Sequence, residues 1–175
     1  MNIGIAGYIT QHGGTYLSEL FKEAIPNSIY VINPSRGMPP IDIRNLSGVD
    51  KVSKIEDLTG FENIEEILAL DILEHFSIIQ VPTILKTWYS FLGIGGTLIL
   101  KVPNIKSLSE SYLNSKISVD YFVARLYGRQ NYEYNYHKSG FDIDSITRSL
   151  QSIGFKDIKI LSTKKHNITM EARKL

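Results

Sequence analysis

Between residues 64 and 102 the chain carries two nearly uninterrupted apolar runs separated by a helical stripe, a pattern few folds accommodate. Ile64–Asp71 reads IEEILALD and Thr97–Val102 reads TLILKV. A run that is apolar at consecutive positions suits a strand covered on both faces, as central parallel strands are. Between them, Val81, Ile84, Leu85, Trp88, Phe91 and Leu92 recur at helical spacing over Val81–Leu92, so this segment buries one face of a helix. Pro82 falls in the first turn, where its missing N–H costs nothing, and Gly93-Ile94-Gly95-Gly96 ends the helix. Strand, helix, strand in this order forms a βαβ unit, whose two strands lie parallel.

The flanking segments extend the alternation. Asn2–Ile9 is a short apolar strand with two glycines. Thr15–Ile25 places Tyr16, Leu17, Leu20, Phe21, Ala24 and Ile25 on one helical face, with Thr15 as cap and Pro26-Asn27 as stop. Ser28–Asn33 (SIYVIN) and Val49–Ile55 are β-branched strands, and Pro39-Pro40 excludes helix between them. Ser107–Gln130 is partly helical and rich in tyrosine. Asp142–Ile153 aligns Ile143, Ile146, Leu150 and Ile153 before a Gly154 stop. Phe155–Leu161 and Ile168–Arg173 close as a hairpin around Ser162–Asn167. The expected fold is α/β: one domain over residues 1–175 with a Rossmann-like, mostly parallel sheet, helices on both faces and a C-terminal antiparallel hairpin. Ligands of such sheets bind beyond the carboxyl ends of the strands, here Gly4–Gly14, Asn33–Asp42, Asp57, Asp71 and Pro103-Asn104.

Composition removes several classes of function. Hydrophobic residues make up 43% of the 175 residues, enough for one continuous core. The net charge of +1 comes from scattered Lys and Arg, so no nucleic-acid partner is expected. Without cysteine there are no disulfides and no thiolate metal sites. No apolar stretch approaches the roughly 20 residues of a membrane span, and Met1-Asn2-Ile3-Gly4 lacks a signal-peptide pattern. The expected setting is therefore cytoplasmic. Asp42, Asp50 and Asp57 stand in no metal-ligand spacing with histidine, so no metal is expected. Walker, Gly-x-Ser-x-Gly and Ser-His-Asp patterns are missing as well.

Four segments carry a resemblance. Ile67–Phe76 (ILALDILEHF) looks like a fourth strand with its Leu-Glu-His-Phe turn, and Leu85–Asn104 (LKTWYSFLGIGGTLILKVPN) like a helix, Gly-Gly turn and fifth strand. Tyr127–Phe155 is similar to a Tyr/His-Gly-Phe segment with a last helix, and Asn167–Lys174 (NITMEARK) to a closing strand. Together they resemble class I S-adenosylmethionine (SAM)-dependent methyltransferases, most closely the small bacterial type linked to glycan and surface-polysaccharide loci. The resemblance implies SAM as cofactor and methyl transfer to an oxygen or nitrogen of a small-molecule or glycan acceptor.

The first third departs from that pattern. Its glycine loop would use Gly4, Gly7, Gly13 and Gly14, but the usual acid of strand one is missing and Asn2 stands nearest its place. In a first register SIYVIN is strand two and ends in Asn33, an amide where the family places a ribose-binding carboxylate. In a second register SIYVINPSRG is strand one, Pro39–Val52 follows as strand two with Asp42 as the ribose acid, and residues 1–28 are an addition. The first uses every residue in strand–helix–strand order and is preferred. In both, Asp57-Leu58 resembles the acidic-apolar pair beside the adenine.

Two residues are candidates for catalysis. Asp71, at the end of the fourth strand, either binds cofactor or acceptor or caps the next turn. His137, in Tyr134-Asn135-Tyr136-His137-Lys138, is either a general base, since imidazole titrates near neutrality, or a ring that orders its loop through a backbone bond. Glu74 and His75 flank the pocket or, more simply, fix the turn; His12 lies in the glycine loop and His166 reads as solvated. Trp88 belongs to the core. Tyrosines 112, 121, 127, 132, 134 and 136 line an acceptor site or pack on the sheet edge. Two other functions compete. One is a methyltransferase-fold binding or assembly protein without SAM, and the other is a nucleotide-sugar Rossmann enzyme. An edge strand in the closing hairpin would suit a homodimer.

Overall fold

The computed structural model describes residues 29–32, 40–42, 51–52, 62–131 and 135–175. Seven strands form one sheet in the order β3-β2-β1-β4-β5-β7-β6. They are β1 (Ile29–Ile32), β2 (Pro40–Asp42), β3 (Lys51–Val52), β4 (Ile64–Leu70), β5 (Leu92–Pro103), β6 (Lys156–Ser162) and β7 (Asn167–Arg173). Four helices among the described residues are α1 (Val81–Phe91), α2 (Ile105–Leu113), α3 (Val119–Tyr127) and α4 (Ile143–Ile153). No described helix is long and apolar enough to cross a membrane.

The βαβ unit forms as its pattern requires. β4 and β5 pair in parallel, with Leu68 opposite Ile99 and Leu70 opposite Lys101. α1 buries Val81, Ile84, Leu85, Trp88 and Phe91, and Trp88 is 1% exposed. β5 begins earlier than the glycines suggested, because Leu92 pairs with Ile64 before the register shifts. Gly96 permits this: a Cβ there would stand 2.8 Å from the carbonyl oxygens of Gly93 and Ile64.

One sheet face presents Ile67 and Ala69, Leu98, Leu100 and Val102, and Ile168, Met170 and Ala172. α1 and α4 cover it, joined by Leu73, Phe141 and Phe155. Each large apolar side chain buried there contributes about 1.5–3 kcal/mol. α4 is held by a capping box, in which the Asp142 carboxylate accepts from Ser145 N–H and Ser145 Oγ accepts from Asp142 N–H. The opposite face carries Glu66, Leu68 and Leu70, then Thr97, Ile99 and Lys101, then Thr169, Glu171 and Arg173.

The Rossmann-like α/β arrangement and the closing β6–β7 hairpin agree with the sequence reading. The pairing is mixed rather than mostly parallel: β4–β5 and β2–β3 are parallel, and β1 runs antiparallel to both β2 and β4. Residues 33–39 connect β1 to β2, too short a link for a parallel crossover, which needs about a dozen residues or more. Ile29–Ile32 lies beside β4. Its antiparallel direction is expected by neither register. The strand over Asn2–Ile9 and the helix over Thr15–Ile25 lie outside the described residues.

Candidate functional site

β4 ends in Asp71, whose backbone adopts the left-handed conformation (φ 54°) that aspartate tolerates better than most residues. The reversal lets Asp71 N–H donate to the Lys101 carbonyl at 2.9 Å. Its carboxylate forms an ion pair with the Lys101 ammonium, which the parallel register of β5 sets alongside. The turn that follows begins at Ile72 without a side-chain cap, so the capping alternative for Asp71 is not the one realised.

Leu73–His75 forms a single 3-10 turn immediately beyond the strand. Its free carbonyls dock the loop that precedes α4: Lys138 N–H and Ser139 N–H donate to the Glu74 carbonyl at 2.7 and 3.1 Å. His137 N–H donates to Tyr127 O at 3.0 Å. That return toward α3 depends on Gly128 (φ 80°), where a Cβ would lie 2.3 Å from the Asn135 carbonyl oxygen.

Three polar side chains converge as a result. Glu74 is 2% exposed, and its Oε2 has no hydrogen-bond partner among the described residues. Burial, and then the Asp71 charge, push its carboxyl up to about 8. His75 Nδ1 lies 3.0 Å from Tyr136 O, and its Nε2 is buried without a partner. Burial lowers the His75 imidazole against the opposing bond to Tyr136. His137 Nδ1 lies 3.0 Å from Arg125 O, in the last turn of α3. Burial, and then neighbouring His75, depress His137 to about 4. The two imidazoles meet edge to face, with centroids 5.1 Å apart and planes at 77°. Both rings are therefore neutral near pH 7, and the ligand atoms of Glu74, His75 and His137 lie within 4.8 Å of one another.

Asp71 and His137, separated by most of the last half of the chain, thus meet at one end of the sheet, where the Asp71 charge acts on His137. Asp42 is the last residue of β2 and shares that end. β1 is antiparallel to both β4 and β2, so β2 and β4 point the same way. Ile32 pairs with Glu66 in the first half of β4, so the carboxyl end of β1 points to the opposite edge. Gly4, Gly7, Asn33, Asp57 and Leu58 lie outside the described residues, as do His12, Tyr132 and Tyr134.

The sequence reading gave Glu74 and His75 mainly a turn-fixing role. The structure adds them to the site, and their adjacency to Asp71 was the available signal. His166 is half-buried, with Nδ1 3.2 Å from Ser107 Oγ and the ring against Tyr121, where a solvated ring was expected. Tyr112, Tyr121, Tyr127 and Tyr136 are exposed.

Solved structures of similar fold include SAM-dependent methyltransferases. Human N-acetylserotonin methyltransferase in complex with SAM superposes with a TM-score of 0.52 at 14% identity, covering 75% of this chain and 35% of its own. The Burkholderia thailandensis 1,6-didemethyltoxoflavin-N1-methyltransferase, with bound 1,6-didemethyltoxoflavin and S-adenosylhomocysteine, gives 0.52 at 15% identity over 77% of this chain and 59% of its own. An Archaeoglobus fulgidus SAM-dependent methyltransferase gives 0.50 at 14% identity, over 77% and 74%. This chain thus spans about a third of the human enzyme's length and three-fifths of the Burkholderia enzyme's. No protein-family model matches it, and no curated protein sequence does. The fold is that of the class I SAM-dependent methyltransferases.

Proposed function

We propose that this chain is a SAM-dependent methyltransferase acting on an oxygen or nitrogen of a small-molecule or glycan acceptor. The supporting observation is a partly buried polar cluster at the carboxyl end of β4, in a fold whose solved neighbours include SAM and S-adenosylhomocysteine complexes. Asp42 and Asp71 share this edge with one strand between them. Strands lie about 4.8 Å apart, so the two strand ends that carry these residues stand roughly 10 Å apart, a span that fits the ribose and amino-acid ends of SAM. In this reading Asp42 takes the ribose, Asp57 and Leu58 the adenine, and Gly4 and Gly7 the close backbone approach; Asn33 is the ribose ligand of the first register.

Bound SAM supplies an electrophilic methyl group on a sulfonium. The chain's own task is to hold an acceptor in line with it, and orientation alone is worth roughly 7–11 kcal/mol. Asp71 and Lys101 form a charge-balanced wall at the strand end. His137, depressed to about 4, is too weakly basic to take a hydroxyl proton efficiently near pH 7. In this reading its Nε2 lone pair binds and orients, which favours acceptors that need no strong base.

Calorimetric titration of the purified chain with SAM and with S-adenosylhomocysteine tests the proposal. Saturable micromolar binding of both is expected, and Asp57→Ala is expected to weaken it about tenfold, the cost of one lost hydrogen bond. An absence of heat at millimolar ligand would overturn the methyltransferase reading. Unchanged affinity in Asp57→Ala would overturn the placement of the adenine.

A further inference from the structure

We infer that Glu74, His75 and His137 bind one divalent transition-metal ion through a Glu74 carboxylate oxygen and the Nε2 atoms of the two histidines. The inference stands on these side chains and does not depend on the methyltransferase reading.

Hydrogen bonding fixes which atoms are offered. Each Nδ1 faces a backbone carbonyl, Tyr136 O for His75 and Arg125 O for His137. A carbonyl oxygen only accepts, so the bond to Arg125 O puts the His137 proton on Nδ1 and leaves its Nε2 a lone pair. The His75 ring has the backbone carbonyls of both Tyr136 and Asp71 beside it, and its Nε2 is offered when Nδ1 donates to Tyr136. This is the arrangement by which metal-ligating histidines are held, the second ring nitrogen donating to a carbonyl that sets tautomer and ring orientation.

Two of the three atoms lack a hydrogen-bond partner: Glu74 Oε2 and His75 Nε2 are buried without one among the described residues. An isolated buried carboxylate is costly, and native structures seldom leave such groups unpaired. Lys101, paired with Asp71, and Arg125 are the cations that act on Glu74, and neither is hydrogen-bonded to its Oε2. A divalent ion takes the place of the Glu74 proton and meets both lone pairs together.

The distances fit with little movement. One ligand atom from each of the three side chains lies within 4.8 Å of the others, whereas ligands of a tetrahedral ion about 2.1 Å away are about 3.4 Å apart. A contraction of at most about 1.4 Å, shared by two side chains, seats the ion. Two imidazoles with one carboxylate select a first-row transition ion such as zinc, manganese or iron(II) over magnesium or calcium, which prefer oxygen throughout. Three protein ligands also leave a coordination position open, as in catalytic rather than purely structural sites. The cluster draws on two of the chain's four histidines, one on the 3-10 turn and one on the loop docked against it.

The test uses the tag-free full chain, stripped with a chelator and titrated calorimetrically with zinc sulfate near neutral pH. One equivalent of zinc per chain is expected, with affinity reduced roughly 100-fold or more in His75→Ala and in His137→Ala, since loss of an outer-shell partner alone costs 10–100-fold. His166→Ala is expected to bind as the wild type does. X-ray absorption of the zinc-loaded wild type, which requires no variant to fold, is expected to report two imidazole ligands and an oxygen. Absence of a saturable equivalent, undiminished affinity in both alanine variants, or fewer than two imidazoles in the absorption spectrum would each overturn the assignment.

Discussion

Glu66 offers a test of how the sheet face opposite α1 handles charge. It lies on β4, while Glu171 lies on β7 on the same face, with β5 between the two strands. Burial, then Glu171, then Glu65 raise its carboxyl from the ordinary 4.5 to about 7. Glu171 itself has Lys159 at 3.6 Å and Arg173 at 3.4 Å, so the nearby cations serve Glu171. A carboxyl that binds its proton more tightly folded than unfolded takes up protons on folding between those two values, so stability falls as pH rises through them. At about 1.4 kcal/mol per pH unit the gap is worth about 3 kcal/mol. Glu66 keeps some contact with solvent, which brings the expectation to about 2–3 kcal/mol. Glu66→Gln removes the titration and keeps the shape. Urea unfolding of both chains at about pH 5 and pH 8 reads the effect as a difference of differences, in which other titrating groups cancel. The wild type is expected to lose about 2–3 kcal/mol more than the variant on going to the higher pH. Parallel pH dependence in the two chains would refute the argument.

Two further substitutions probe how the site is positioned. Gly128→Ala sets a Cβ against the Asn135 carbonyl at a positive φ, and a cost of about 1–3 kcal/mol is expected. Faster hydrogen exchange at the His137 amide, which is bonded to Tyr127 O, is the measurement; unchanged protection would contradict it. Asp142→Ala removes the capping box of α4, and a loss of about 1 kcal/mol in urea unfolding is expected near neutral pH. Hydrogen bonds from Ser145 hold the Asp142 carboxyl below its usual range. Its contribution is therefore complete above the unfolded value and is lost as pH falls through the lower folded one, so the two chains should converge in acid.

The parts legible in the sequence were those whose signal is local. The apolar runs of β4 and β5, the stripe of α1 and the Asp142 and Gly154 signals of α4 each sit within one segment, where spacing and capping chemistry decide the outcome. Asp71 was legible because it ends a buried strand. The direction of β1 was not, since Ile29–Ile32 reads as a strand in either sense and pairing partners set its polarity. The convergence of His137 on Glu74 and His75 was not legible either. It arises from Lys138 and Ser139 donating to the Glu74 carbonyl, a contact between distant segments that no spacing rule encodes. The Lys101 partner of Asp71 was hidden for the same reason, because only the register of β4 against β5 brings the two charges together.

The order β5-β7-β6 carries a consequence for how the chain is made. β7 enters between two strands synthesised before it, so until residues 167–173 leave the ribosome, Thr97–Pro103 presents a bare row of amide and carbonyl groups. Such an edge invites pairing with any extended segment nearby. A nascent chain halted in the β6 region is thus an adhesive intermediate, and the sheet closes only once residues 167–173 are available.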